Sequence, residues 1–140
     1  MKVVLDTNVL VSGLLFGGIP GRILSAWADG DVSLVISPEI LEEYRRVGGE
    51  LSKDREHLET ALNSLLAMLA TNAALLNAPP LPAQVCDDAD DDMFLAAALA
   101  AEARVIVSGD KHLLRVSGWR NIAVLKPRQF VDQYVIRRES

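Results

Sequence analysis

The sequence is poor in the residues that staple or metallate a small domain. Among 140 residues there is one cysteine, Cys86, and there are two histidines, His57 and His112. A single thiol excludes a disulfide framework within the chain and any cysteine-built zinc site. Two separated histidines are too few for a multi-histidine metal centre, and Cys86 lacks the local motif that accompanies a catalytic thiol. No apolar run reaches the roughly 20 residues that a membrane-spanning helix needs. The apolar start is interrupted by Asp6 and Asn8 and is not followed by a small-residue cleavage motif. That argues against a signal peptide and leads us to expect a cytoplasmic protein with no membrane association. Internal repeats and low-complexity linkers are missing, and the tail Arg137, Arg138, Glu139, Ser140 is too short for a nucleic-acid arm. Positive charge is not in excess either: the net charge is −5, and an acidic chain is a poor bare ligand for phosphate backbones.

What is present is apolar bulk and one concentration of acid. Half the residues are apolar, and the length suits one core, so residues 1–140 are expected to form a single domain. Asp87, Asp88, Asp90, Asp91 and Asp92 fall within six residues; without them the remaining acids equal the 14 bases in number. The acidity is therefore local. A local cluster that binds a divalent cation can meet phosphate through the metal.

Short apolar runs at 2–5, 33–36, 104–107 and 122–125 are continuous rather than alternating, as in strands of a parallel sheet covered on both faces. Helical patterns separate them. Residues 20–29 are closed by Gly30, and Ser37-Pro38 is an N-cap and first-turn pair for a helix to about residue 47. Residues 54–70 carry Leu58, Leu62, Leu65, Leu66 and Leu69 at helical spacing. The span 91–103 is rich in alanine, and 127–135 opens with proline. Residues 73–76 fit either the end of a helix or an extra strand, and 77–83 read as a proline-punctuated surface connector. This alternation predicts a three-layer α/β/α fold with a central, mostly parallel sheet.

Four acidic positions then fall where such a fold keeps its chemistry, at the carboxyl ends of strands and the helices beside them. Asp6 follows the first strand, Asp110 follows the third, Glu42 and Glu43 lie in the helix after the second, and the aspartate cluster opens the alanine-rich helix. With about 100° per residue, Glu43 sits roughly 90° from the apolar side made by Ile40, Leu41, Tyr44 and Val47, whereas Glu42 faces nearly away. In the alanine-rich helix Phe94, Leu95, Ala98 and Leu99 mark the inner stripe. Asp91 projects near its middle and Asp92 to one side, so Asp91 is the first choice for the third acid and Asp92 the alternative. Aspartates at a helix start also cap free amides, and Gly-Asp is an ordinary turn. Asp6 is harder to explain that way, because a carboxylate after an apolar strand is costly to bury without partners. Converging carboxylates tolerate one another around a cation, and all-oxygen donors suit Mg²⁺ or Mn²⁺. The chemistry indicated is phosphodiester hydrolysis.

The stretches Val3-Val-Leu-Asp-Thr-Asn-Val-Leu-Val-Ser12, Ser37-Pro-Glu-Ile-Leu-Glu-Glu-Tyr-Arg-Arg-Val47, Asp88-Ala-Asp-Asp-Asp-Met-Phe-Leu-Ala-Ala-Ala98 and Val105-Ile-Val-Ser-Gly-Asp-Lys-His-Leu-Leu114, in this order, resemble the PIN-domain family. The resemblance spans nearly the whole chain and is nearest to the bacterial VapC-like ribonucleases, the toxin components of toxin–antitoxin pairs. It implies metal-dependent RNA cleavage at a carboxylate pocket. Asp6, Glu43, Asp91 and Asp110 match the family's four acids in turn, Asn8 the polar residue that helps orient the site, and Ser108 the usual threonine or serine. The Asp91–Asp110 spacing is one residue longer than in many such sequences, which favours Asp92, while helical phase favours Asp91. The resemblance also implies an antitoxin that brings a basic residue into the pocket on an extended or helical segment, and a homodimer.

RNA binding needs cations outside the acidic pocket; Arg45, Arg46, Lys111, Arg115 and Arg128 are the candidates, each also readable as a solvated surface charge. His112 is expected on a surface loop. Two rival functions have their own signatures. A non-catalytic PIN-like RNA- or protein-binding module would show no cation-dependent cleavage. A Mg²⁺-dependent phosphohydrolase of the haloacid-dehalogenase type would place a second aspartate two residues after Asp6, where this chain has Asn8.

Overall fold

A computed structural model describes residues 1–135; the tail at 137–140 lies outside the described residues. The strands are β1 (Lys2–Leu5), β2 (Ser33–Ile36), β3 (Ala74–Leu75), β4 (Val105–Val107) and β5 (Ala123–Leu125). They form a sheet in the order β3-β2-β1-β4-β5, with every neighbouring pair parallel. Val3 is the centre of the register, opposite Leu34 of β2 and Val105 of β4. Consecutive residues of β1 and β2 are all buried, from Val3 to Leu5 and from Leu34 to Ile36. Side chains alternate across a strand, so burial of successive residues means that helices cover both faces. The expected α/β class with a parallel sheet is the observed one.

The covering helices are α1 (Thr7–Phe16), α2 (Gly18–Ala28), α3 (Pro38–Ser52), α4 (Glu56–Asn72), α5 (Asp92–Ala101), α6 (Lys111–Leu114) and α7 (Pro127–Phe130), the last continued by a π-helical turn, Val131–Val135. Ser37 starts α3 by accepting from the Ile40 amide at 3.2 Å, and Pro38 preorganises the first turn. Helix α5 lies against β1, β2 and β4, while α1 packs on α2 and α3, and α3 on α4. Two left-handed glycines, Gly17 and Gly18, turn the chain by 96° between α1 and α2. No single helix among the described residues is long and apolar enough to cross a membrane.

Four details go beyond the sequence reading or differ from it. Helix α1 is not announced by an amphipathic pattern, because its residues are apolar nearly all round. Residues 73–76 resolve into the two-residue edge strand β3. The alanine-rich helix begins at Asp92 rather than Asp91, with a 3₁₀ turn, Ala89–Asp91, before it. Leu99, expected on the inner stripe, is 38% exposed, and Ala97 and Ala101 are buried in its stead.

Candidate metal centre

In an open parallel sheet the crevice for ligands opens where strand order reverses. Here the chain leaves β1 toward β2 and later returns to β4 on the other side, so that point lies between the carboxyl ends of β1 and β4. The two ends are tied together by the Asp6 amide, which donates to the Val107 carbonyl at 2.9 Å. Asp6 follows β1 and heads α1, and it is 6% exposed. Ser108, fully buried after β4, donates its hydroxyl to Asp6 Oδ2 at 2.6 Å and accepts from the Asp110 amide at 2.9 Å. One serine thus fixes the Asp6 carboxylate and the loop that carries Asp110. Asp110 then caps α6, its Oδ1 accepting from the His112 amide at 2.7 Å.

Asp91 comes in from the 3₁₀ turn, which Asp88 starts by accepting from the Asp90 amide at 3.0 Å. Asp91 Oδ2 is buried and has no hydrogen-bond partner. Burial first, then the charges of Asp110 and Asp6, push its carboxyl up to about 6. Asp6 is likewise held above the usual carboxylate range, by burial foremost and then by Asp110 and Glu43, against the lowering effect of its Ser108 and Thr7 hydrogen bonds. These mutual effects put Asp6, Glu43, Asp91 and Asp110 in one electrostatic neighbourhood. Glu43 sits at its edge, partly exposed and paired with Arg46. It also lines a cleft of about 390 Å³ between α3 and the 3₁₀ turn.

Asp92 belongs elsewhere. Its two oxygens accept from the Val85 and Cys86 amides, at 3.0 and 2.8 Å, and so hold the loop before α5. Asn8 is exposed on the first turn of α1, and Glu42 is exposed and paired with Arg45. Of the cations expected to serve RNA, Arg45, Arg46 and Arg115 pair with Glu42, Glu43 and Asp87, while Lys111 and Arg128 are exposed.

Three residues near the site have positions there that the sequence reading does not give them. Tyr44 is fully buried and donates to the Leu5 carbonyl at 2.6 Å, anchoring α3 to the end of β1 one residue from Glu43. A tyrosine on an apolar helix face signals such a bond, because its hydroxyl needs a partner. Thr7, directly after Asp6, is buried with its hydroxyl unpartnered. His112 is not on a loop but in α6, half-buried, with Nδ1 3.3 Å from Asp110 Oδ1 and 3.9 Å from Asp91 Oδ2. The fold-back of its own amide onto Asp110 brings it there, a short-range effect that spacing alone does not reveal.

The group fits a divalent cation. A buried carboxylate oxygen without a donor is costly unless something positive meets it. The pocket supplies oxygens from Asp6, Asp91 and Asp110, and the ligand atoms of Asp91, Asp110 and His112 all lie within 4.8 Å of one another.

The family profile described as PIN domain matches residues 2–112 of this chain. Among solved structures, the chain is similar to VapBC2 from Rickettsia felis bound to a DNA fragment from their promoter. That likeness has a TM-score of 0.62 and 17% identity, covering 90% of this chain and 98% of that one. It is also similar to FitAcB from Neisseria gonorrhoeae, with a TM-score of 0.53 and 21% identity over 90% of this chain and 98% of that one. No curated protein matches it.

Proposed function

The chain belongs to the PIN-domain family, and from that premise we propose that it is a metal-dependent endoribonuclease, the toxin of a toxin–antitoxin pair acting in the cytoplasm. The observation that carries the reading is the buried, unpartnered oxygen of Asp91 beside Asp6 and Asp110 at the switch point of the sheet. Acids outnumber bases in this pocket: among the described residues only the His112 imidazole lies beside Asp91 and Asp110, and Arg46 pairs with Glu43 at the rim, so the carboxylates repel one another without a cation.

On this reading Asp6, Glu43, Asp91 and Asp110 hold Mg²⁺ or Mn²⁺. When bound, the cation supplies Lewis acidity that activates water and offsets charge growing on the scissile phosphate. The chain's part is positioning. Ser108 holds one Asp6 oxygen and leaves the other for the cation, and through the Asp110 amide it keeps the two carboxylates at a set spacing. Tyr44 ties the second turn of α3 to the end of β1, and Glu43 beside it approaches from the rim. On the same reading Asn8, exposed on the first turn of α1, orients the substrate backbone, and the exposed Lys111 and Arg128 meet RNA phosphates. We read the antitoxin as the protein partner, a reading supported by the likeness to VapBC2 and FitAcB, and a homodimer as the assembled form.

The test is cleavage of a structured RNA pool with Mn²⁺ or Mg²⁺, with EDTA and an Asp6→Asn variant in parallel. Cutting that disappears in both controls is expected. Intact RNA after incubation with folded, cation-loaded protein, across several RNAs and both metals, overturns the nuclease reading in favour of a binding module.

A further inference from the structure

Among the described residues, His112 is the one nitrogen ligand candidate in a pocket otherwise built from oxygen. Helix α6 begins with Asp110, and the bond from the His112 amide to Asp110 Oδ1 curls the chain so that the imidazole lies over the same carboxylate. Its Nδ1 stands 3.3 Å from Asp110 Oδ1 and 3.9 Å from Asp91 Oδ2, and the second of these oxygens is the buried one with no partner. Two ligands about 2.1 Å from one cation stand about 3 Å apart in adjacent octahedral positions. The observed separations suit atoms that close on a shared ion better than a direct hydrogen bond.

We propose that His112 Nδ1 is a cation ligand alongside Asp91 and Asp110, and that it biases the site toward Mn²⁺ over Mg²⁺. The proposal rests on the reading of the acidic pocket as a cation site and adds to it the identity of one ligand and the selectivity that follows. Mg²⁺ is a hard ion that takes oxygen and water, and it gains little from an imidazole. First-row transition ions accept imidazole nitrogen readily, so one nitrogen among carboxylates separates the two classes without changing the size of the site. A histidine ligand also explains why the imidazole is half-buried against two acids in a protein with only one other histidine, the exposed His57.

The experiment uses the whole chain with each metal alone. Electron spin echo modulation of bound Mn²⁺ reports directly on coordinated nitrogen, and calorimetry gives the affinities for Mn²⁺ and Mg²⁺. The wild-type protein is expected to show ¹⁴N modulation. In His112→Ala the modulation should vanish and Mn²⁺ affinity fall about tenfold or more, the loss typical when a metal site loses a supporting group. Mg²⁺ affinity should move by about twofold or less, so that the Mn²⁺ preference narrows. Bound Mn²⁺ without ¹⁴N modulation in the wild type, or an unchanged preference in the variant, overturns the histidine assignment and leaves the carboxylate pocket standing. Failure of the wild type to bind either cation at millimolar concentration overturns both. The echo measurement on the wild type decides the matter even where the variant folds poorly.

Discussion

Asp91 and Asp92 are adjacent in the chain and carry the same side chain, yet they serve two different regions. Asp92 faces back into the connector, where its two oxygens are each met by a backbone amide, from Val85 and Cys86. Asp91 faces the ends of β1 and β4, where one oxygen is buried with no hydrogen-bond donor and the charges around it are mainly acids, with the His112 imidazole 3.9 Å away. A carboxylate that accepts two amides is satisfied by the fold itself. A carboxylate left short of donors among like charges is satisfied only by something the fold does not contain. The difference separates a structural clamp from a candidate binding group within a single turn.

The sharpest way to break this comparison is to neutralise the two residues separately. Asp91→Asn is expected to reduce cation-dependent RNA cleavage by about 10²-fold or more, the scale seen when one electrostatic contact to a transition state is removed. In EDTA the same variant should melt no lower than the wild type, because it removes a desolvated charge that Asp6 and Asp110 repel. A variant that cuts normally would show that the unpartnered oxygen is not part of the chemistry.

Asp92 should behave in the opposite way. Asp92→Ala leaves the Val85 and Cys86 amides without an acceptor in a partly buried loop, at a cost of about 2 kcal/mol. Its melting temperature should fall by about 5–10 °C, with cleavage per folded molecule retained below the transition. Unchanged stability would mean that water replaces the clamp at no cost. Loss of cleavage in a fully folded Asp92→Ala protein would move the third acid to Asp92.

The pH dependence of stability separates the regions more finely. Asp91 is at about 6 in the folded protein against an ordinary value of 3.8. Between those values the folded form keeps a proton that the unfolded chain has released. Stability of the cation-free protein should therefore fall as pH rises from about 4 to about 6 and stay level above. Asp6 is raised too and acts in the same direction. With solvent screening the Asp91 share is about 1 kcal/mol. Urea unfolding in EDTA at pH 4.5 and pH 7 should show that Asp91→Asn gains relative to wild type at the higher pH. Identical pH slopes for the two proteins would remove the repulsion from the account. Saturating cation should raise wild-type stability at pH 7, by binding the folded form alone.

Much of this architecture is legible in the sequence where one physical rule dominates. β1 and β2 match their continuous apolar runs because strands buried on both faces leave no polar alternation, and α3 is marked by Ser37-Pro38. Helix α1 is not legible for the same reason that β1 is: Thr7–Phe16 is apolar nearly all round, so no 3.6-residue period emerges. β3 has two residues, both exposed, and takes its place from pairing with Val35 and Ile36 rather than from any pattern of its own. The site divides in a similar way. Asp6 and Asp110 follow strands and are placed by topology, whereas helical phase selects Asp91 although it does not join that helix. It lies in a 3₁₀ turn, where 100° per residue does not apply, and its neighbour Asp92 is turned to the loop instead, by the Val85 and Cys86 amides. That clamp depends on residues at 85 and 86 folding back, a contact with no periodic signature.

A second adjacent pair, Glu42 and Glu43, tests whether the lesson is general, and here the expected effect is smallest. Helical phase applies fully, since both residues lie inside α3, and the exposed Glu42 makes only a surface pair with Arg45 at 2.8 Å. Such an i, i+3 pair contributes a few tenths of a kcal/mol. Glu42→Gln should therefore leave cation affinity and cleavage unchanged and shift stability by less than about 0.5 kcal/mol. Glu43→Gln removes one of the two acids that raise Asp6, the other being Asp110, and should weaken cation binding while leaving the melt in EDTA nearly unchanged. Equal cation affinity in the two variants would restrict the pocket to Asp6, Asp91 and Asp110 and make Glu43 a rim charge held by Arg46. Weaker binding in Glu43→Gln alone would extend the division seen at Asp91 and Asp92 to this pair: of two neighbouring acids, only the one turned toward the ends of β1 and β4 serves the pocket.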